Sequence, residues 1–274
     1  MKKVCFRFDI DTHKCIRDGV PNLLRLSEGY KVPFTFFLNM GRAVSIKDSL
    51  LSNKAADDEI EHCKSLTAYE KLGTLDYLVA AIINPRNAWY TKQIKNLVSN
   101  PYCEVGIHGG RNHATWQFHA NEWPEDKLRG EIEWAIDRIR KIAQEYELGG
   151  FAAPTFNHPE SLSRVLSELG FKFSADFHGV EQHIISQKDG LTDVGINLLG
   201  EPGGVAFWES CLAKGMNLDQ ISDEFKRAID KNDIIVVYDH PYLAGCRCLD
   251  SISRIIEYLQ DEQIELATLS SILN

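Results

Sequence analysis

Apolar positions along the chain fall into short, nearly continuous runs separated by longer segments with helical spacing. The first run, "KVCFRFDI", reads as a buried strand. "DGVPNLLRLSEGY" follows with helical periodicity, and "VPFTFFLNM" reads as a second strand after Pro33. "EVGIHGG" is a strand running into a glycine turn. "PEDKLRGEIEWAIDRIRKIAQEY" predicts a long helix, with Pro124 near its first turn and acidic residues early. "GGFAAP" and "FKFSADF" bracket "HPESLSRVLSELG", a predicted helix started by Asn157 or His158 and stopped by Gly170. "DQISDEFKRAID", "DIIVVYDH", "CLDSISRIIEYLQ" and "IELATL" continue toward the C-terminus.

Strands alternating with helices imply parallel β-α-β units, in a barrel or an open sheet. Residues 42–100 break the rhythm, with helical segments and no convincing strand. They read as a helical insertion after the second strand. No linker-like composition marks a boundary, so 1–274 is expected to form a single domain.

Composition narrows the function classes. At 44% apolar and 25% charged, the 274 residues suit a soluble globular protein. A net charge of −9 argues against nucleic acid as a main partner, because phosphate binding needs a basic surface. The seven cysteines are odd in number, scattered and free of any C-x-x-C pair, which argues against a disulfide framework or a thiolate zinc site. A reduced, cytoplasmic compartment is expected. "MKKVCFRFD" is too polar for a signal sequence, and no apolar run is long enough to span a membrane. Peripheral work at the inner face of a membrane stays compatible with this.

Four polar clusters each end an apolar run: Asp9/Asp11, His108/His113, Asp176, and Asp239/His240. Singly they say little, since a D-x-D pair usually caps a turn and a strand-end histidine is usually structural. Together they offer one carboxylate and two imidazoles for a divalent metal, with a carboxylate and an imidazole to spare. A three-ligand site with a position open for water suits catalytic zinc, and the spare groups suit proton transfer. His13, His119, His158, His178 and His183 read as surface or capping residues. Trp89, Trp116 and Trp208 read as core or loop-packing aromatics.

The stretches "RFDIDTHKCIRDGVPNLL", "EVGIHGGRNHATWQ", "GFAAPTFN", "FKFSADFHG" and "VYDHPYLAG" follow one another as do the motifs of the polysaccharide deacetylases, carbohydrate esterase family four. The chain most resembles the deformylase branch that acts on formamido-arabinose carried by undecaprenyl phosphate. The likeness is weakest across 42–100 and 185–230. It implies a distorted, TIM-barrel-like (β/α) barrel of about seven strands. It also implies that Asp11, His108 and His113 bind the metal, that Asp9 is the general base and that His240 is the general acid. Asp176 would support the active-site network, and Pro154 and Thr155 would lie in the segment whose backbone donates to the oxyanion. Zinc is the implied metal, although such O/N ligands also accept Co, Ni or Mn.

Three departures from the family pattern stand out. The histidines are spaced i, i+5 where i, i+4 is usual, which calls for an irregular turn at Gly109–Gly110. Ala152 stands where an arginine is common, so Asp9 needs another orienting partner, Arg7 or Arg111. "YDHPYLAG" lacks the acidic residues that follow the last histidine in the aminoarabinose enzymes. The expected activity is a metal-dependent deacetylase or deformylase acting on a linear amide of an amino sugar, as a glycan precursor or lipid-linked sugar. The alternatives are an amidohydrolase of a small non-sugar amide or cyclic imide, and a sugar-binding homologue without turnover.

Overall fold

A computed structural model describes residues 2–45, 65–178, 184–188, 190–200 and 204–273. Among the described residues nine strands form one sheet: β1 (Lys3–Ile10), β2 (Phe34–Leu38), β3 (Cys103–His108), β4 (Gly150–Ala152), β5 (Phe173–His178), β6 (Ile184–Lys188), β7 (Leu191–Ile196), β8 (Ile234–Asp239) and β9 (Glu265–Leu266). The order is β6-β7-β5-β4-β3-β2-β1-β8, with β9 added to the start of β1. Every pairing is parallel except the β6–β7 hairpin. The sheet curls until the chain just after β7 meets β8. There Leu198 bridges Val237, and its N–H and C=O bond Val236 and Tyr238 at 3.1 Å each. The expected distorted barrel is therefore present, built on β7-β5-β4-β3-β2-β1-β8 and closed at the Leu198–Val237 bridge.

Alternation along β1 sorts its side chains between two apolar layers. Val4, Phe6, Phe8 and Ile10 face the helices in the larger cluster, where Phe6 packs on Trp208 and Phe225. Cys5 points into the barrel with Phe37, Ala152, Phe173, Ala175, Val236 and Tyr238. By the same parity Arg7 and Asp9 point inward, toward the end of the barrel where β-α loops build sites.

Two local readings change. The helix expected from Asn157 or His158 begins at Leu162, with Ser161 before it. Asn157 and His158 lie before this start and are turned elsewhere: Asn157 Nδ2 donates to the carbonyls of Trp116 and Gln117, and the His158 ring is bonded to Asp176 and Ser163. The stop at Gly170, with φ of +86°, is as expected. The strand pattern of β7 escapes a sequence reading because its buried Asp193 looks like a turn residue. That carboxylate is satisfied inside the sheet by the hydroxyls of Ser174 at 2.8 Å and Ser186 at 2.5 Å.

Of the 42–100 segment, residues 46–64 lie outside the described residues. The rest is helical, in short pieces Ala68–Leu72, Thr74–Leu78, Val79–Ile83, Asn87–Trp89 and Thr91–Val98. It is not a detached elaboration. Asn87 Nδ2 donates to the carbonyls of Ile10, Asp11 and Asn39 at 2.9–3.3 Å, so this segment grips the ends of β1 and β2. Among the described residues, no helix is long and apolar enough to cross a membrane.

Candidate active site

The ends of β8, β1 and, one strand further along the sheet, β3 bring the polar clusters together. Asp9 and Asp11 close β1, His108 closes β3, and His240 follows β8, whose Asp239 is in register with Phe8. His113 opens the helix His113–His119, which Asn112 caps by accepting from Thr115 N–H at 3.1 Å. The i, i+5 spacing is thus accommodated by a strand end and a helix start, not by one helix face. Gly109 makes the turn at φ +64°, and His113 N–H is tied to Arg42 O at 2.8 Å. Gly41 lets the β2 loop approach this turn, since a Cβ there would lie 2.2 Å from Arg111 O.

Asp11 is the hub. His108 Nε2 lies 3.1 Å from one of its oxygens, while His113 Nε2 at 3.5 Å and His240 Nε2 at 3.1 Å share the other. His108 donates from Nδ1 to Ala152 O at 2.9 Å, which fixes the tautomer and turns Nε2 toward Asp11. One ligand atom from each of Asp11, His108 and His113 falls within 4.8 Å of the others. Asp11 Oδ1 is buried yet accepts no hydrogen bond. A buried, unsatisfied carboxylate oxygen beside His108 Nε2, with His113 Nε2 at the other oxygen of the same carboxylate, fits a divalent cation, so these three residues could hold one.

The electrostatics agree with this arrangement. Burial alone would raise the Asp11 carboxyl, but the imidazoles of His113, His240 and His108 hold it well below the usual carboxylate range. Burial lowers His113 to about 4 despite Asp11. Burial also opposes charge on His108 and His240, but Asp9 and Asp11 around the first and Asp11 and Asp239 around the second raise both.

Asp9 stands beside this set without joining it, its Oδ2 being 3.9 Å from His108 Nε2. Of the two arginines, Arg7 is its partner: Nε donates to Oδ1 at 2.9 Å and Nη2 to Oδ2 at 2.7 Å. Arg111 is instead engaged by Glu131. Asp176 is one layer further out. It accepts from Ala153 N–H at 2.5 Å and from His158 at 2.7 Å, and His158 in turn meets Ser163 Oγ at 2.9 Å. It touches none of the three candidate metal ligands and acts on the turn that carries Pro154 and Thr155. In that turn Thr155 and Phe156 both have positive φ, 53° and 58°. The Phe156 and Asn157 N–H groups are used by Ala153 O and Pro154 O. Such paired left-handed, non-glycine residues are costly and mark an over-determined turn. Trp116 helps to hold it, donating from its indole to Asn157 O at 3.1 Å.

Some residues of the site gave little sign in the sequence. Asn39 ends β2 and donates to Asp11 O at 3.0 Å; its strand-end position was the only cue. Asn87 lies in the segment read as an insertion. His13 is buried against Asp76 at 3.0 Å, not on the surface. His183 lies outside the described residues. Trp116 and Trp208 are fully buried, whereas Trp89 is 59% exposed.

The His158–Asp176 pair gives a stability prediction. Burial lowers His158, but Asp176 outweighs it and raises the imidazole above its ordinary 6.5. The pair therefore contributes stability that is complete below 6.5 and lost as pH rises through the higher folded value. His158→Asn should lower the melting temperature most in mildly acidic buffer, with the gap to wild type narrowing at alkaline pH. A gap constant across a pH series of thermal melts would show that folding leaves the proton affinity of this ring unchanged.

Comparison with known proteins accords with this geometry. A curated Shewanella sediminis (strain HAW-EB3) protein, named probable 4-deoxy-4-formamido-L-arabinose-phosphoundecaprenol deformylase, is 22% identical over 287 aligned residues, 99% of this chain and 86% of that one. Among solved structures, a polysaccharide-deacetylase-type protein of Mycobacterium smegmatis superposes with a TM-score of 0.63 at 16% identity, covering 98% of this chain and 88% of the other. A family-four pseudoenzyme of Bacillus anthracis superposes with a TM-score of 0.57 at 11% identity, covering 100% of this chain and 66% of the other. These likenesses show the shared barrel. The family model for polysaccharide deacetylases matches residues 1–174, the stretch that holds Asp9, Asp11, His108 and His113, and the chain belongs to the polysaccharide deacetylase family.

Proposed function

We propose that the protein is a metal-dependent hydrolase that removes an N-formyl or N-acetyl group from an amino sugar, as a glycan precursor or a lipid-linked sugar. The observation that carries this is the convergence of Asp11, His108 and His113 within 4.8 Å, with Asp9 held beside them by a separate partner. The curated relative named for a deformylase supports a formamido sugar. A divalent ion, zinc or else Co, Ni or Mn, would be held by those three residues and would supply a Lewis acid that lowers the pKa of water. Asp9 takes a proton from the attacking water, and His240 gives one to the departing nitrogen. Thr155 N–H has no acceptor among the described residues, and it faces the task of donating to the developing oxyanion. Asp176 steadies that turn through Ala153. The reading of 1–274 as one catalytic domain is supported by a sheet that draws strands from Lys3 to Leu266. We place the protein in the cytoplasm, with the inner face of a membrane as the site of a lipid-linked substrate.

The test is release of formate or acetate from N-formyl and N-acetyl amino sugars by protein stripped of metal and then reloaded. Metal-dependent release is expected. Tight metal and sugar binding without release would indicate a binding protein. Release only from small non-sugar amides or cyclic imides would move the substrate class.

A further inference from the structure

Away from the metal ligands, one line of side chains joins a hydroxyl to a base that is itself oriented by an acid. Asp176 follows Ala175 on β5, and Ala175 points into the barrel. By strand parity the Asp176 carboxylate faces the outer layer, where Leu162, Val165 and Leu166 of the helix Leu162–Glu168 pack. There it meets His158 Nδ1 at 2.7 Å, and the far nitrogen of the same ring, Nε2, meets Ser163 Oγ at 2.9 Å. The acid is buried and anchored, since its other oxygen accepts from Ala153 N–H at 2.5 Å. The ring is held as well. It packs on Phe177 with ring centres 5.5 Å apart, and it follows Asn157, whose amide is tied to the Trp116 and Gln117 carbonyls. Ser163 is half-buried, beside the exposed Arg164.

The order of these contacts decides what the line can do. A carboxylate at Nδ1 takes the proton-bearing nitrogen of a neutral imidazole and leaves Nε2 as a bare acceptor for the serine hydroxyl. Steadying the turn after β4 uses Asp176 and its bond to Ala153, and gives Ser163 nothing to do. We propose that Ser163 is an activated serine, with His158 as its base and Asp176 orienting the ring, and that it takes an acyl group from an activated carboxylic ester. None of the three is a candidate metal ligand, so this second activity does not rest on amide hydrolysis at the metal site. Ser163 Oγ bonds to the acyl carbon as its proton passes to His158 Nε2. The bond from the acyl carbon to the leaving oxygen breaks, and the departing alkoxide takes that proton, which leaves an acyl-serine and an alcohol. Water, giving a proton to the same ring, then cleaves the acyl-serine to a carboxylic acid, and the proton returns to Ser163 Oγ. Asp176 and Asp193 are the charged groups that face the ring, and Asp176 leads in raising it above 6.5 against burial. Reactivity should therefore grow as pH rises through that higher value and the ring becomes a free base.

A fluorophosphonate probe, which esterifies activated serines, tests this on metal-loaded protein, with peptide mass spectrometry to locate the adduct. The adduct is expected on Ser163 in wild type and at no residue of that peptide in Ser163→Ala. Labelling of His158→Gln should be slower by about 10²-fold or more, the range for removal of a general base. Wild-type labelling should also rise with pH through one ionisation above 6.5, a readout that stands even if His158→Gln does not fold. The acyl step is read with p-nitrophenyl acetate in the presence of a chelator, which silences the metal site. Nitrophenolate release there should fall by about tenfold or more in Ser163→Ala. Absence of a Ser163 adduct, equal labelling rates in wild type and folded His158→Gln, or a rate that is flat in pH would overturn the inference. Ester cleavage unchanged in Ser163→Ala would overturn it as well, and none of these outcomes touches the hydrolase reading of the metal site.

Discussion

Asp9→Asn protein is expected to bind its divalent ion at full stoichiometry and to lose turnover by about 10²–10⁴-fold, the range for removal of a general base. The geometry separates the two properties. Asp9 is not one of the three converging ligands, and its closer oxygen is 3.9 Å from His108 Nε2. An asparagine keeps the size of the side chain but cannot take a proton from water. It also turns an NH₂ group toward the donors of Arg7, leaving that buried fork partly unmatched. Steady-state kinetics and metal analysis on the same preparation check both halves. A near wild-type rate would remove Asp9 from the proton path. Parallel loss of metal and rate would make Asp9 a ligand along with Asp11.

Asp11→Asn is expected to fail at the earlier step. Three imidazoles face this one carboxylate, and its charge holds the cluster together. Outer partners of metal ligands already contribute about 10–100-fold in affinity, so loss of the only carboxylate ligand should weaken zinc binding by more than about 10²-fold. Isothermal titration with the stripped protein measures it. Turnover at limiting metal should then fall with occupancy and recover in part at high zinc, which Asp9→Asn should not do. Unchanged affinity in Asp11→Asn would mean that the ion, if bound, sits on other residues.

The contrast between these two carboxylates was open to a sequence reading because β-strand parity puts positions i and i+2 on one face. The same parity places Arg7 with them, but nothing local says that its fork closes on Asp9 and not on solvent or on another acid. Glu131, which takes Arg111 instead, is 20 residues from that arginine along the chain, and periodicity is silent about such a pairing. The helix start at Leu162 and the strand β7 were missed for a related reason. Asn157 and Asp193 carry local turn signals, and tertiary partners, the Trp116 and Gln117 carbonyls and two serine hydroxyls, override them. Asn87 lay in a segment with helical pattern and no motif, so its grip on Asp11 O was invisible before folding.

By itself the sequence determined the alternation of strands and helices, the inward parity of Arg7, Asp9 and Cys5, and the polar residues that end β1, β3, β5 and β8. These follow from side-chain periodicity and from the cost of burying charge, which act over a few residues. Only the tertiary structure decided which strand ends meet. β8 pairs with β1 although more than two hundred residues separate them, and this brings His240 to 3.1 Å from Asp11. β3 reaches β1 only through β2, and a glycine turn then folds His113 back beside His108. Strand neighbours in a curled sheet are set by closure and by packing of the two apolar layers, both global quantities, so the site's distances exist only once the barrel has closed.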